Sequence, residues 1–265
     1  MRYLKKFIEI CLVLSIVVIT FSSLVYLYDV RDKISKTLKA RLSFNKLDKE
    51  KNLKKLNDKK YAEAILEGNY ILFFRHAHRQ KWLDVPAYDA EEALQGLQGE
   101  NTFFKDAVCL SNQGQSQSKI MGKQFARFNL PIGKVISSPS CRSRQTAINA
   151  FGKIDDINIV FLHTGPFNES VSDHVKLVRQ EILDISVDQN TNVIISSHGN
   201  VIEKEVFDEI KLIDYFDPGK NKNYNLDLGE GGFMVISKKD QKIILEHIFV
   251  NYKEFAKPLH NRKVN

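Results

Sequence analysis

Apolar residues fall into two regimes in this chain, one unbroken stretch near the start and many short runs after it. From Phe7 to Tyr28 almost every position is apolar, interrupted by Glu9 and a few Ser and Thr. These 22 residues suffice, at about 1.5 Å rise each, to cross a hydrocarbon core about 30 Å thick. Arg2, Lys5 and Lys6 precede the run, and Tyr26 and Tyr28 stand where interfacial aromatic anchors belong. The run exceeds a signal-peptide core, and no small-x-small cleavage site follows it. The reading is a basic tail over 1–6 and an uncleaved transmembrane helix over 7–28. Residues 31–60 contain neither Gly nor Pro and are rich in Lys, with Ile34, Leu38 and Leu42 at four-residue steps. That pattern predicts a helical stalk or a juxtamembrane amphipathic helix over 29–60.

A folded domain is expected over 61–265, where strand-like and helix-like runs alternate. Tyr70–Phe74 is a continuous apolar run, as in a strand buried on both faces of a parallel sheet. Ser111–Phe128 opens on a capping Ser and sets Ile120, Met121, Phe125 and Phe128 on one helical face. Further strands are expected at Lys134–Ser137, Ile157–Leu162 and Val193–Ser196, and helices at Arg142–Phe151, Val171–Ile185 and Val201–Ile210. Phe233–Ile236 and Ile243–Phe249 read as closing strands around a turn at Lys239-Asp240. The fold class is α/β: a three-layer α/β/α domain with a mostly parallel central sheet.

Charge sharpens this division. The net charge is +7, but residues 1–64 hold 15 Lys and Arg against seven acidic residues, and the remainder is close to neutral. The basic character belongs to the N-terminal arm, so no basic face points to nucleic acid. Arg31, Lys33, Lys36, Lys39 and Arg41 crowd the C-terminal flank of the apolar run, which by the positive-inside bias leans toward a cytoplasmic domain. Three cysteines make no disulfide framework and show no metal-ligand spacing. Cys109 and Cys141 either pair or remain thiols, and both readings stand.

Three polar clusters follow three expected strands: Arg75-His76-Ala77-His78-Arg79, Ser137-Ser138, and Ser197-His198. Ligands in open α/β sheets bind beyond the carboxyl ends of the strands, so these clusters can converge on one pocket. A phosphoryl group in transfer spreads negative charge over its oxygens and calls for fixed cations around an in-line nucleophile. Arg75 and Arg142 are forked, permanently charged donors suited to that task, and His198 can add a third donor.

The clusters resemble the histidine phosphatase superfamily. Its Arg-His-Gly triplet reads here Arg75-His76-Ala77, and its Ser-Ser-Pro-x-x-Arg-x-x-Gln-Thr-Ala segment is matched throughout by Ser137 to Ala147. Its late Ser-His-Gly is Ser197-His198-Gly199, and Leu110-Ser111-Asn112-Gln113-Gly114 resembles its Leu-Thr-x-x-Gly helix entrance. The likeness covers about Asn69 to Phe249 and leaves out the anchor and stalk. Within the superfamily the chain is most similar to the lipopolysaccharide core heptose(II)-phosphate phosphatases, through Cys109-Leu110-Ser111, Gly114 and the Asn168-Glu169 pair.

The resemblance implies catalysis without a metal or other cofactor. His76 becomes the nucleophile that forms a phosphohistidine, and Arg75, Arg79, Arg142 and His198 become phosphate contacts. The general acid is expected at Glu169, with Asp173 as the lesser candidate; an ordinary helix-start acid is the alternative for each. Ala77 in place of Gly disfavours a positive φ and implies ordinary backbone there. The Gln80–Lys105 insertion, with Trp82, Tyr88, Phe103 and Phe104, either covers the pocket or is a structural loop. The function expected is a membrane-anchored phosphomonoesterase acting on a sugar phosphate or envelope metabolite. A protein phosphohistidine phosphatase and a catalytically silent phosphate-binding membrane module are the alternatives. Export, as in the similar group, would set the domain outside the membrane, against the lean of the basic flank.

Overall fold

A computed structural model describes residues 51–83, 85–163, 170–211 and 228–260, with single positions between 20 and 49. The chain divides into two compact units, Met1–Lys54 and Lys55–Asn265. Most of the expected anchor over 7–28 and much of the stalk over 29–60 fall outside the described residues. Among the described residues no helix is long and apolar enough to cross a membrane.

Within the larger unit, the first apolar run becomes β1 (Ile71–Arg75), whose first four residues are buried on both faces. The runs that follow it give α2 (Val85–Leu94), α3 (Lys105–Val108), α4 (Asn112–Arg127), β2 (Ile132–Ser137) and α5 (Cys141–Phe151). Next come β3 (Asp156–Ile157), α6 (Val171–Asp184), β4 (Asn192–Ser197), β5 (Glu209–Ile210), β6 (Phe233–Lys239), β7 (Lys242–Phe249) and α7 (Tyr252–Leu259). A helix ending at residue 64, here α1, leads into β1. Among the described residues the strands form one sheet in the order β3-β2-β4-β1-β6-β7-β5. β1, β2 and β4 run parallel, with Arg75 level with Ser197 and Ser137 level with Ser196. β6 and β7 form an antiparallel hairpin against β1, turning at Asp240 and Gln241, both at positive φ.

The two faces of β1 build two cores. Leu72 and Phe74 face a cluster with Met121 and Phe125 of α4, Ala147 of α5 and Phe255 of α7. Phe74 stacks on Phe233 at 4.5 Å between ring centroids and meets Phe125 edge-on at 5.5 Å. Ile71 and Phe73 face the other way, onto Phe161 and Val178 and Ile182 of α6. Helices therefore cover both faces of a central sheet, as the α/β/α reading requires. A third, small core joins Tyr88 and Phe104 of the insertion, and Ala107, Val108 and Cys109 just after it, to Cys141 of α5. The insertion is thus a folded element with its own packing.

Three local expectations are corrected. Val201–Ile210 is not a helix: a single turn over Lys204–Val206 is followed by β5. The free edge of β7 captures this segment, because the Asp208 and Lys211 N–H groups donate to the carbonyls of Ile243 and Leu245. Ile157–Leu162 gives only the two-residue β3, since the Asn158 side chain accepts from the Val160 N–H and starts a turn over Ile159–Phe161. On α4, Ser111 caps the helix as expected, but Ile120 points outward while Met121, Phe125 and Phe128 are buried. One helical residue turns by about 100°, enough to carry Ile120 off the inner stripe.

Candidate active site

β2, β4 and β1 are neighbours in the sheet, so their carboxyl ends bring the three polar clusters together. His76 follows β1 and is held by its N–H, which donates to the Ser197 carbonyl at 2.9 Å. Its ring is buried, and Nδ1 lies 2.7 Å from the Ala77 carbonyl oxygen. A carbonyl only accepts, so Nδ1 carries the proton and Nε2 keeps its lone pair. Burial first, and then the Arg142, Arg75 and Arg79 guanidinium groups, push the His76 pKa well below the ordinary histidine value, although the Ala77 carbonyl opposes them. The result is a neutral imidazole with one defined nucleophilic nitrogen.

Ala77 takes no positive φ, as its Cβ demands, and its N–H donates to Thr146 Oγ1 at 3.0 Å. The next residue sets a tight approach. A Cβ at Gly114, in the first turn of α4, would lie 2.0 Å from the His78 carbonyl oxygen. That carbonyl in turn accepts from the Ser111 N–H, while His78 N–H donates to Gln117 Oε1 at 2.8 Å. The Arg-His loop is therefore clamped onto the start of α4, which explains the glycine in the Leu110–Gly114 motif.

His198 follows β4, with its ring centroid 5.3 Å from that of His76. Arg142 Nη2 lies 3.1 Å from His198 Nδ1, and Ser138 and Ser140 Oγ lie 3.1 and 3.3 Å from Nε2. A guanidinium only donates, so Nδ1 accepts and Nε2–H faces the serine hydroxyls. Burial first, then Arg142 and the neighbouring His76 and His163, lower the His198 pKa well below its ordinary value. His198 is thus neutral and engaged at both nitrogens.

Arg142 enters from the first turn of α5 and is fully enclosed. Its Nη1 and Nη2 donate to the two carboxylate oxygens of Asp89 at 2.6 and 2.7 Å, a bidentate fork. Arg75 is partly buried, and its Nη1 donates to the Leu228 carbonyl at 2.6 Å. Gly199 packs here: a Cβ at that position would lie 3.0 Å from Arg75 Cδ. Arg79 Nη1 donates to the Gln80 carbonyl at 2.8 Å. Burial first, then Arg142, lowers the Arg79 pKa from its ordinary value, although Asp89 and Glu230 oppose the shift. Arg75, His76, Arg79, Arg142 and His198 are therefore in one electrostatic neighbourhood. Glu169 lies outside the described residues. Asp173 is exposed at the start of α6, where its N–H bonds to Ser170 Oγ and its carboxylate pairs with Lys176.

Three residues not singled out in the sequence also build this site. Asp89 of α2 is fully buried and also meets His163 Nε2 at 2.5 Å. Burial raises its carboxyl pKa, but the His163 and Arg142 hydrogen bonds outweigh that, and the net shift is downward. Glu92, one turn along α2, accepts from the Cys141 N–H at 3.0 Å and from Arg144 Nη2 at 2.6 Å. It caps α5 from outside, where Ser140 supplies no side-chain cap. Burial wins at Glu92 and leaves its carboxyl pKa raised. His163 stands at the end of the turn after β3, with its ring centroid 5.1 Å from His198. The acidic stretch Tyr88–Glu92 within the insertion was the available signal, but it reads equally as a solvated helix face. Cys109 and Cys141, left open in the sequence, are joined in a disulfide. Glu92, Glu100 and Cys141 bring potential metal-ligand atoms within 4.8 Å of one another, but the disulfide removes the Cys141 thiolate and Arg144 occupies Glu92. That trio does not fit a metal site.

Neither a protein-family model nor a curated protein matches the chain. Solved structures similar to it include the protein histidine phosphatase SixA complexed with tungstate, at TM-score 0.44 and 13% identity over 68% of this chain and 96% of that one. A mutant phosphoserine phosphatase from Entamoeba histolytica in complex with phosphoserine matches at TM-score 0.43 and 15% identity, over 69% and 98% of the chains. Phosphoserine phosphatase from the same organism with 3-phosphoglyceric acid matches at TM-score 0.41 and 16% identity, over 68% and 95%.

Proposed function

We propose that this chain is a phosphomonoesterase of the histidine phosphatase type, working through a phosphohistidine on His76. The observation that carries the reading is the single tautomer and neutral state of a buried His76 among arginines. His76 Nε2 forms a bond to phosphorus as the bond from phosphorus to the leaving oxygen breaks, and that oxygen takes a proton from an acid at the pocket mouth. Water then attacks the phosphohistidine, releasing phosphate and regenerating the imidazole. Arg75, Arg79 and Arg142 supply the fixed positive charge that phosphoryl transfer needs, which supports a reaction without a metal. Glu169 is the proposed acid, on the motif resemblance alone.

The proposed setting is a single-pass membrane protein anchored over 7–28. The basic flank favours a cytoplasmic domain, but the Cys109–Cys141 disulfide supports the oxidising side of the membrane. That placement suits an envelope metabolite such as a sugar phosphate as substrate, and phosphorylated heptoses belong first in a substrate panel.

The test uses the full chain on p-nitrophenyl phosphate with a chelator present. The expected results are turnover that survives chelation and radiolabel trapped on the protein under alkaline quench, both absent in His76→Ala. Wild-type rates in His76→Ala, or activity abolished by the chelator, would refute the proposal. A C-terminal alkaline phosphatase fusion should be active; an inactive but stable fusion would put the domain in the cytoplasm.

A further inference from the structure

Arginine carries five N–H bonds, and in Arg142 four are accounted for. Nη1 donates to Asp89 Oδ1 at 2.6 Å and to the Val108 carbonyl at 3.4 Å. Nη2 donates to Asp89 Oδ2 at 2.7 Å and to His198 Nδ1 at 3.1 Å. The fifth, on Nε, is buried and has no hydrogen-bond partner among the described residues. A buried donor left unmatched is costly and rare, and among catalytic histidines it calls for an acceptor that arrives with a ligand.

The partner that creates this arrangement is itself immobilised. Asp89 has both carboxylate oxygens engaged and also meets His163. Its helix is pinned by Glu92, three residues on, to the Cys141 N–H and to Arg144. The disulfide from Cys109 ends on Cys141, directly before Arg142. An unrestrained arginine rotates about four side-chain bonds, whereas this guanidinium plane is fixed at its far edge by a carboxylate that cannot easily leave.

Resting on the phosphatase reading above, we infer that Asp89 is a positioning residue: it holds both Nη groups of Arg142 so that Nε–H is turned to the phosphoryl oxygen and Nη2 fixes the tautomer of His198. Asp89 does not touch substrate. It acts through Arg142, and through Arg142 on His198, by fixing geometry before the substrate arrives. It also balances the Arg142 charge, which tempers the field that Arg142 exerts on His76 and His198. Among the described residues, the charged and titratable groups around His76 are Arg75 at the end of β1, Arg79 on its own loop, Arg142 from α5 and His198 after β4.

The experiment compares full-length wild type, Asp89→Asn and Asp89→Glu on p-nitrophenyl phosphate, with inorganic phosphate as competitive inhibitor. Asp89→Asn keeps the shape but loses the charge and one acceptor. Its kcat should fall roughly 10- to 100-fold, as removal of an orienting partner does elsewhere, while KM and the phosphate inhibition constant move less than about threefold. Its kcat/KM acid limb should move to lower pH, because an unbalanced Arg142 disfavours protonated His76. Asp89→Glu should return the limb to the wild-type position. A lower kcat with an unmoved limb, matched by a smaller fraction of labelled enzyme, would assign Asp89 a merely structural role and overturn the inference. A lower KM and inhibition constant at undiminished kcat would overturn it too, by showing that Asp89 competes with phosphate for Arg142. Should Asp89→Asn fail to fold, Asp89→Glu decides: reduced kcat at the native limb with an undiminished labelled fraction supports positioning, and wild-type kcat, or a kcat loss matched by the labelled fraction, rejects it. An inactive wild type would instead refute the phosphatase reading, which separates the two failures.

Discussion

Cutting the Cys109–Cys141 link should destabilise the larger unit by an amount that its place in the chain predicts. The bonded residues are 32 apart in sequence. Freeing a loop of about that length restores roughly 12 cal/mol/K to the unfolded chain, or about 3.7 kcal/mol at 25 °C. For a domain of this size that corresponds to a melting temperature lower by roughly 7–15 °C. Urea unfolding of oxidised wild type, dithiothreitol-reduced wild type and a Cys109→Ala/Cys141→Ala variant measures it. Reduced wild type isolates the cross-link, and the double variant adds the loss of two buried sulfur atoms from the small core around Phe104 and Val108. Thiol titration of the unreduced, denatured protein should find only Cys11 free. Three free thiols, or a reduced protein within about 1 kcal/mol of the oxidised one, would refute both the cross-link and the placement argued from it.

Three more outcomes follow from the packing of the site. His76 and His198 have folded pKa values well below 6.5, so the unfolded chain binds protons first as pH falls. Stability is complete above about pH 6.5 and declines below it by about 1.4 kcal/mol per pH unit for each histidine, offset nearer pH 5 by Glu92, whose raised carboxyl pKa acts in the opposite sense; equal urea midpoints at pH 7 and pH 6 would contradict this. Gly114→Ala drives a Cβ to 2.0 Å from the His78 carbonyl oxygen, so the Arg-His loop must shift. A loss of about 1–3 kcal/mol and up to about 100-fold in turnover are expected, read by thermal melting and p-nitrophenyl phosphate hydrolysis. Glu92→Ala leaves the Cys141 N–H uncapped and Arg144 short of a buried partner, and should cost about 3 kcal/mol or more by urea unfolding.

The central strands were legible because burial on both faces writes an uninterrupted apolar run. Tyr70–Phe74 and Val193–Ser196 could be recognised without knowing their neighbours, and the clusters that end them could be aligned. The capping Ser111 was equally local. β5 was not legible, since its strand state depends on the free edge of β7, more than thirty residues away. Asp89 and Glu92 were hidden for a related reason. They are two acids among several in an insertion until Asp89 is found against Arg142, 53 residues on, and Glu92 against Cys141, 49 residues on.

Those hidden contacts change what the insertion is. Two carboxylates of α2, the Val108 carbonyl, the disulfide and the Leu110 N–H bond to Gln145 all act on the first turns of α5. That helix carries Arg142, so the segment between the first two motifs is scaffold for the third cation of the site. A loop that merely selected substrates could vary without touching the chemistry. Here a change at Asp89, Glu92 or Cys109 reaches the candidate site through a single helix turn, although none of the three is among the proposed phosphate contacts. If the insertion also selects substrate, the parts of it that do not bind α5 carry that role. Trp82, Leu83 and Phe103 are the exposed apolar candidates, and changing them should alter preference among phosphoesters while leaving the rate on a small generic ester intact.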